Sequence, residues 1–355
     1  TAFSSTREMA ASAGSEDALK RFQAENGIQT VSDGDELFRY DPERNAQRRR
    51  EKPWADDPHY FKHVKISALA LLKMAMHARA GCPLEVMGVL QGKLEDHGFV
   101  ISDCFALPVE GTETRVSAME EGYEYMVGYT SVCEQAGRVE PVVGWYHSHP
   151  GYGCWLSGID CNTQMTQQQH QDPFLAIVVD PVRTCSAGKV EIGAFRTYPA
   201  SYKPPDDGPS EYQTIPLDKI EDFGVHCKQY YQLDVSFFKS ALDSHLISLL
   251  WNKYWISTLS SSPLLTNREY ATKSIKDLAN KLDQAEGTLA HSVRMGGYYI
   301  PPDKKKDQSQ LSKVAKDSCR VACEQIHGLM SQVLKDVVFN SHKRPGGAAV
   351  QEMQE

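Results

Sequence analysis

Apolar and polar positions alternate along this chain in two regimes, with the change near Phe223. Ahead of it, short apolar runs at 84–91, 99–107, 141–149, 174–180 and 189–197 have strand length and strand composition. Between them, Ile66 to Ala78 is almost continuously apolar and built from good helix formers, which predicts a helix packed on two sides. A second helix is predicted over about 118–135, where Met119, Tyr123, Met126 and Val127 recur at helical spacing. Strands interleaved with helices predict an α/β or α+β domain.

Beyond Phe223 helical patterns dominate. One runs from Phe237 to Leu259 through Leu242, Leu246, Leu249 and Trp251, and another covers about 268–290. Gly296-Gly297 and Pro301-Pro302 break the pattern, and Lys304 to Lys306 read as a flexible loop. A last helix, about 309–340, carries Ala322, Ile326, Leu329, Val333 and Val337 at spacings of three and four. Such a seam needs a partner surface, in this chain or in a bundle with other subunits. The first 53 residues are polar and end in a charge run from Arg44 to Lys52, so partial order is expected there, with Phe22, Leu37, Phe38 and Tyr40 available for docking. The expected organisation is an N-terminal extension over 1–53, an α/β domain over 54–222 and a helical region over 223–355. The last includes a flexible loop near 296–308 and a tail at 341–355.

Composition narrows the class. No apolar run reaches the roughly 18 residues needed to span a bilayer, and the net charge of −8 argues against nucleic acid as the main ligand. Nine cysteines without disulfide-like spacing fit a reducing compartment, and the first residues carry no signal-peptide pattern. Arg48-Arg49-Arg50 reads as a solvated face rather than an import signal. No partnered Cys-x-x-Cys pairs, His-Glu-x-x-His, Gly-x-Ser-x-Gly or phosphate loop is present.

The chemistry concentrates in Gly144 to Asp160. His147 and His149 close a predicted strand, where alternation points both side chains to one face. Pro150-Gly151 turns the chain, and Ser157 opens a Gln-rich helical run that puts Asp160 in its first turn, where a carboxylate is favoured. Two imidazoles and one carboxylate are three ligands that Zn2+ accepts, with the fourth tetrahedral position left for water, as in a metal hydrolase. On its own, His-x-His on a strand is more often surface decoration. Upstream, Glu85 interrupts the apolar run Leu84 to Gly92, either as a residue facing water or as a carboxylate held in a cleft. Ser157 is a good helix N-cap as well as a possible donor.

His-Ser-His-Pro followed by Gly-x-x-x-Ser-x-x-Asp resembles the JAMM (MPN+) motif of zinc-dependent isopeptidases, which remove ubiquitin or ubiquitin-like modifiers. The resemblance extends over roughly Lys52 to Asn340, through Thr112-Glu113-Thr114-Arg115-Val116 and Phe223-Gly224-Val225-His226-Cys227-Lys228. It implies an MPN domain, a curved β-sheet flanked by helices, with one Zn2+ held by His147, His149 and Asp160. Glu85 is then the general base and Ser157 the donor to the developing oxyanion. It further implies NEDD8–cullin as the substrate, the modifier's tail lying extended along a sheet edge. Implied partners are the other subunits of a larger assembly, among them a second MPN-domain subunit and a helical bundle, and the expected location is cytoplasm and nucleus. A loop at about 106–123 is expected to gate the site, Arg115 beside Glu113 pairing with Asp160 at rest. A deubiquitinase acting on polyubiquitin, or a mainly scaffolding MPN subunit, are the alternatives. The segment Ser117 to Gly122 and Cys161 depart from the family pattern.

Overall fold

Six consecutive buried residues, Leu175–Asp180, form the strand β6 at the heart of the molecule. The computed structural model describes residues 19–32, 36–108, 120–187, 189–199, 202, 204, 215–249, 267–294 and 304–340. The chain divides into two units, Thr1–Tyr254 and Trp255–Glu355.

The first unit carries one sheet. Its other strands are β1 (Gln29–Thr30), β2 (His63–Ser67), β3 (Met87–Glu95), β4 (Gly98–Ala106), β5 (Val142–Ser148), β7 (Glu191–Thr197) and β8 (Tyr230–Lys239). They follow the order β1-β8-β2-β4-β3-β5-β6-β7. The first half of β8 pairs antiparallel with β7 and its second half pairs parallel with β2, so the sheet curls back on itself. This is the curved sheet expected from the sequence, with helices α1 (Pro42–Glu51), α2 (Ala68–Gly81), α3 (Glu120–Gln135), α4 (Gly158–Gln171), α5 (Pro181–Ala187) and α6 (Ile220–His226) around it.

The Ile66–Ala78 run divides between two elements. Ile66 and Ser67 complete β2, and Ser67 also caps α2 by accepting the Ala70 N–H. Leu71, Leu72, Met74, Ala75 and Ala78 are all buried, and α2 touches β4 and β8 as well as α5 and β6, which is the two-sided packing its composition requires.

One expectation changes in this unit. The boundary at 222/223 cuts too early: residues 230–239 are strand β8, and residues 241–249 are helical within the same unit. Alternation of exposed Gln232 and Asp234 with buried Leu233 is the strand signal, overshadowed by the helical pattern that follows. The described residues of the N-terminal extension, 19–32 and 36–53, make specific contacts with the rest of this unit. Phe22 is buried, β1 pairs with β8, and Asp41 caps α1. Arg48 donates to the Leu94 carbonyl and to Asp96, so this one arginine of the run is docked while Arg50 stays exposed.

In the second unit, α7 (Arg268–Arg294) packs on α8 (Lys304–Asn340), with the Lys281 ammonium 2.8 Å from both Asp277 and Asp317. Lys304 to Lys306 belong to this helix rather than to a loop, because lysine is a good helix former and the breaking residues end at Pro302. The predicted seam is exposed along Ile326, Leu329 and Val333, while Asp317 and Glu324 are buried. The loop residues 296–303 and the tail 341–355 lie outside the described residues.

Candidate metal centre

Three strands and one helix deliver the site. β3 and β5 pair antiparallel with Met87 opposite His147, and β5 runs parallel to β6 with His147 opposite Val178. Past the end of β5, His149 stays in line because its N–H donates to the Val179 carbonyl. The two imidazoles therefore face one side, as strand alternation requires. The chain then turns through Pro150 to Leu156 and enters α4, where Ser157 is the N-cap and Asp160 the third helical residue.

His147 Nε2 and His149 Nε2 lie 3.1 Å apart, and Asp160 Oδ2 stands 3.4 Å from the first and 3.6 Å from the second. Donors about 2.05 Å from a common Zn2+ at tetrahedral angles stand roughly 3.3 Å apart. The three atoms thus already have the spacing of one face of a zinc tetrahedron. Among the described residues this is the one group of three or more such side chains within ligating reach. His149 Nδ1–H donates to the Gly153 carbonyl at 3.0 Å, which leaves its Nε2 lone pair for a metal. The donor set fits Zn2+.

Charge follows geometry. Burial opposes ionisation of Asp160, but the two imidazoles outweigh it and hold its carboxyl well below the usual carboxylate range. Burial alone would depress His147; the charge and hydrogen bond of Asp160, with Glu85 behind it, raise it instead. Aromatic rings wall the pair: Trp145 stacks on His147 at 4.7 Å, Tyr152 on His149 at 4.5 Å, and Trp155 meets His149 edge-on.

Glu85 is buried and sits just ahead of β3 rather than inside it. Its backbone position is set by the neighbouring Val86, whose N–H donates to Ser148 Oγ and whose carbonyl accepts the Ser148 N–H. Its Oε1 accepts a hydrogen bond from the Tyr152 hydroxyl. Ser157 forms a capping box: its hydroxyl and its N–H both donate to Asp160 Oδ2, at 2.7 and 2.9 Å, and its Oγ accepts the Asp160 N–H. Glu113 and Arg115 lie outside the described residues, and so does their proposed gating.

Two residues that shape the site carried no signal that sequence reading used. Asp180 is fully buried at the end of β6. It accepts the N–H groups of Gly151 and Gly153 in the turn between the ligands, and those of Val182 and Arg183 at the start of α5. Gly153 has φ +93°, and a Cβ there would meet the Arg183 guanidinium at 2.7 Å, so the turn tolerates only glycine. Tyr152, between those glycines, touches both Glu85 and His149; the Gly-Tyr-Gly turn was the available clue.

Cys154 and Cys161 are buried in the surrounding core, and burial pushes the Cys161 thiol up to about 12 and Cys154 well above its ordinary value. Neither is a thiolate ligand or nucleophile at neutral pH. A cleft of about 210 Å3 between Trp54, Phe61, Gln168, Arg196 and Tyr231 contains none of these site residues.

A family described as JAB1/Mov34/MPN/PAD-1 ubiquitin protease matches residues 59–173, and one described as Cop9 signalosome subunit 5 C-terminal domain matches residues 260–340. The chain is 63% identical over 327 residues to COP9 signalosome complex subunit 5 of Dictyostelium discoideum, covering 92% of this chain and 97% of that one. It is 63% identical over 330 residues to the Oryza sativa subsp. japonica protein of the same name (91% of each chain). To the Drosophila melanogaster protein it is 59% identical over 326 residues, 92% of this chain and 98% of that one.

Proposed function

The chain belongs to the family of COP9 signalosome complex subunit 5 proteins, and on that premise we propose that it is a zinc-dependent isopeptidase removing NEDD8 from cullins as the catalytic subunit of that complex. The observation that carries the reading is the meeting of His147, His149 and Asp160 at tetrahedral spacing beside the buried Glu85.

Zinc bound by these three side chains would supply a Lewis acid that polarises the scissile carbonyl and acidifies water. Glu85 takes the proton from the attacking water and passes it to the departing lysine amine, which leaves as a neutral group. The Ser157 hydroxyl turns from Asp160 to the carbonyl oxygen as negative charge builds there. Trp145, Tyr152 and Trp155 keep bulk water from the imidazoles, which strengthens each of these electrostatic contacts. The exposed Ile326–Leu329–Val333 seam of α8 supports packing with helices of other signalosome subunits, a second MPN-domain subunit among the partners. Work in cytoplasm and nucleus is part of the same proposal.

The test is cleavage of NEDD8–cullin beside lysine-linked di-ubiquitin by this chain assembled with its partner subunits. Loss of NEDD8 with di-ubiquitin spared is the expected result. The reverse preference would make the chain a deubiquitinase, and inertness on both would make it a scaffold.

A further inference from the structure

We propose that Tyr152 is a positioning residue that ties the general base to the metal-ligand set, so that Glu85 and His149 are held as one unit. The inference rests on the reading of Glu85 as base and His149 as ligand, and assigns a role to a side chain that neither the ligand set nor the proton transfer uses.

Three contacts define Tyr152. Its hydroxyl donates to Glu85 Oε1, leaving Oε2 for proton exchange. Its ring lies over His149, centroids 4.5 Å apart and planes 30° from parallel. The Lys219 ammonium stands 5.4 Å from the ring centroid, as a cation–π contact. Its backbone is pinned from both sides. Gly151 and Gly153 have φ of +91° and +93°, and their N–H groups both go to Asp180. The Tyr152 carbonyl accepts the Trp155 indole N–H at 2.9 Å. A tyrosine whose main chain is held this tightly has little freedom in where its hydroxyl points.

Glu85 needs such a clamp. It sits two residues before the first β3–β5 ladder pair, at Met87, beyond the regular strand that would fix a side chain by its register. A glutamate has three side-chain torsions, and a general base works only within about 2.6–3.2 Å of the proton it takes. The tyrosine hydroxyl restricts the carboxylate, and the ring sets that restriction relative to His149. The two functions of the side chain are chemically separable, one through oxygen and one through the ring face.

Tyr152→Phe keeps the ring and removes the hydroxyl; Tyr152→Ala removes both. Two quantities separate the roles: kcat and KM on NEDD8–cullin with the assembled complex, and Zn2+ affinity of the full-length chain by competition with a chromophoric chelator. Tyr152→Phe is expected to lower kcat about tenfold or more with KM unchanged and Zn2+ affinity intact. Tyr152→Ala is expected to weaken Zn2+ binding as well. Wild-type kcat in Tyr152→Phe would overturn the proposal, as would an equal loss of Zn2+ affinity in both variants, which would reduce Tyr152 to a packing residue. Glu85→Gln is the control: its retaining wild-type kcat would sink the general-base reading and this inference with it. An inactive Glu85→Gln beside an unimpaired Tyr152→Phe would sink only the inference.

Discussion

Ser157 Oγ lies 2.7 Å from Asp160 Oδ2, the oxygen that also faces Nε2 of both His147 and His149. One serine hydroxyl thus caps a helix and contacts the carboxylate that meets both imidazoles. Ser157→Ala removes both the cap and the proposed oxyanion donor. It is expected to lose about 1 kcal/mol of stability and about 10²–10³-fold in kcat. Thermal unfolding and cleavage rates measured on the same preparation check this. Full kcat with lowered stability would leave Ser157 as a cap alone.

Asp160→Asn replaces the carboxylate with a neutral, weaker ligand. Turnover of NEDD8–cullin is expected to vanish and zinc content to fall in elemental analysis, while assembly with partner subunits stays intact on size exclusion. Loss of assembly would show that the metal centre also supports the fold.

Protons compete with Zn2+ at His147, whose pKa in the metal-free chain is raised above 6.5 by Asp160 and Glu85. An imidazolium has no lone pair to donate, so Zn2+ affinity should fall as pH drops through that raised value. The sign reverses for stability without metal. A raised histidine pKa contributes stability below its unfolded value and loses it as pH rises through the folded one. The metal-free chain is therefore expected to lose stability from near pH 6.5 upward, while the Zn2+-saturated chain gains it. Chelator competition and thermal midpoints with and without excess Zn2+ test the pair of trends; parallel trends would contradict it.

Asp180→Ala strands the N–H groups of Gly151, Gly153, Val182 and Arg183 and leaves the Arg183 guanidinium facing a gap. Breaking a buried pair by removing one partner typically costs about 3–5 kcal/mol. The urea midpoint of the full chain should fall accordingly. Zn2+ affinity should fall too, since the Gly153 carbonyl that orients His149 loses its support. A variant with unchanged Zn2+ affinity would confine Asp180 to stability.

The candidate set of His147, His149 and Asp160 was legible because each member follows from local periodicity. His147 and His149 are two apart at the end of a strand, and Asp160 is three past a serine cap, so strand alternation and helix geometry each orient their own residues. β8 was not legible, because its pairing with β2 and β7 joins residues far apart in the chain, and a helical pattern begins where it ends. Lys304 to Lys306 were misread as loop because breaking residues stand close before them.

By itself the sequence determined a domain of mixed strands and helices, a helical second region and the identities of three side chains that converge, His147, His149 and Asp160, since all three rest on short-range spacing. Only the tertiary structure decided which distant groups serve them. β3–β5 pairing brings Glu85 to the histidines, the end of β6 places Asp180 under the turn, and Tyr152 reaches across to touch both Glu85 and His149. Those placements depend on which strands become neighbours, and the burial of polar groups that makes them energetically decisive exists only once the sheet has closed.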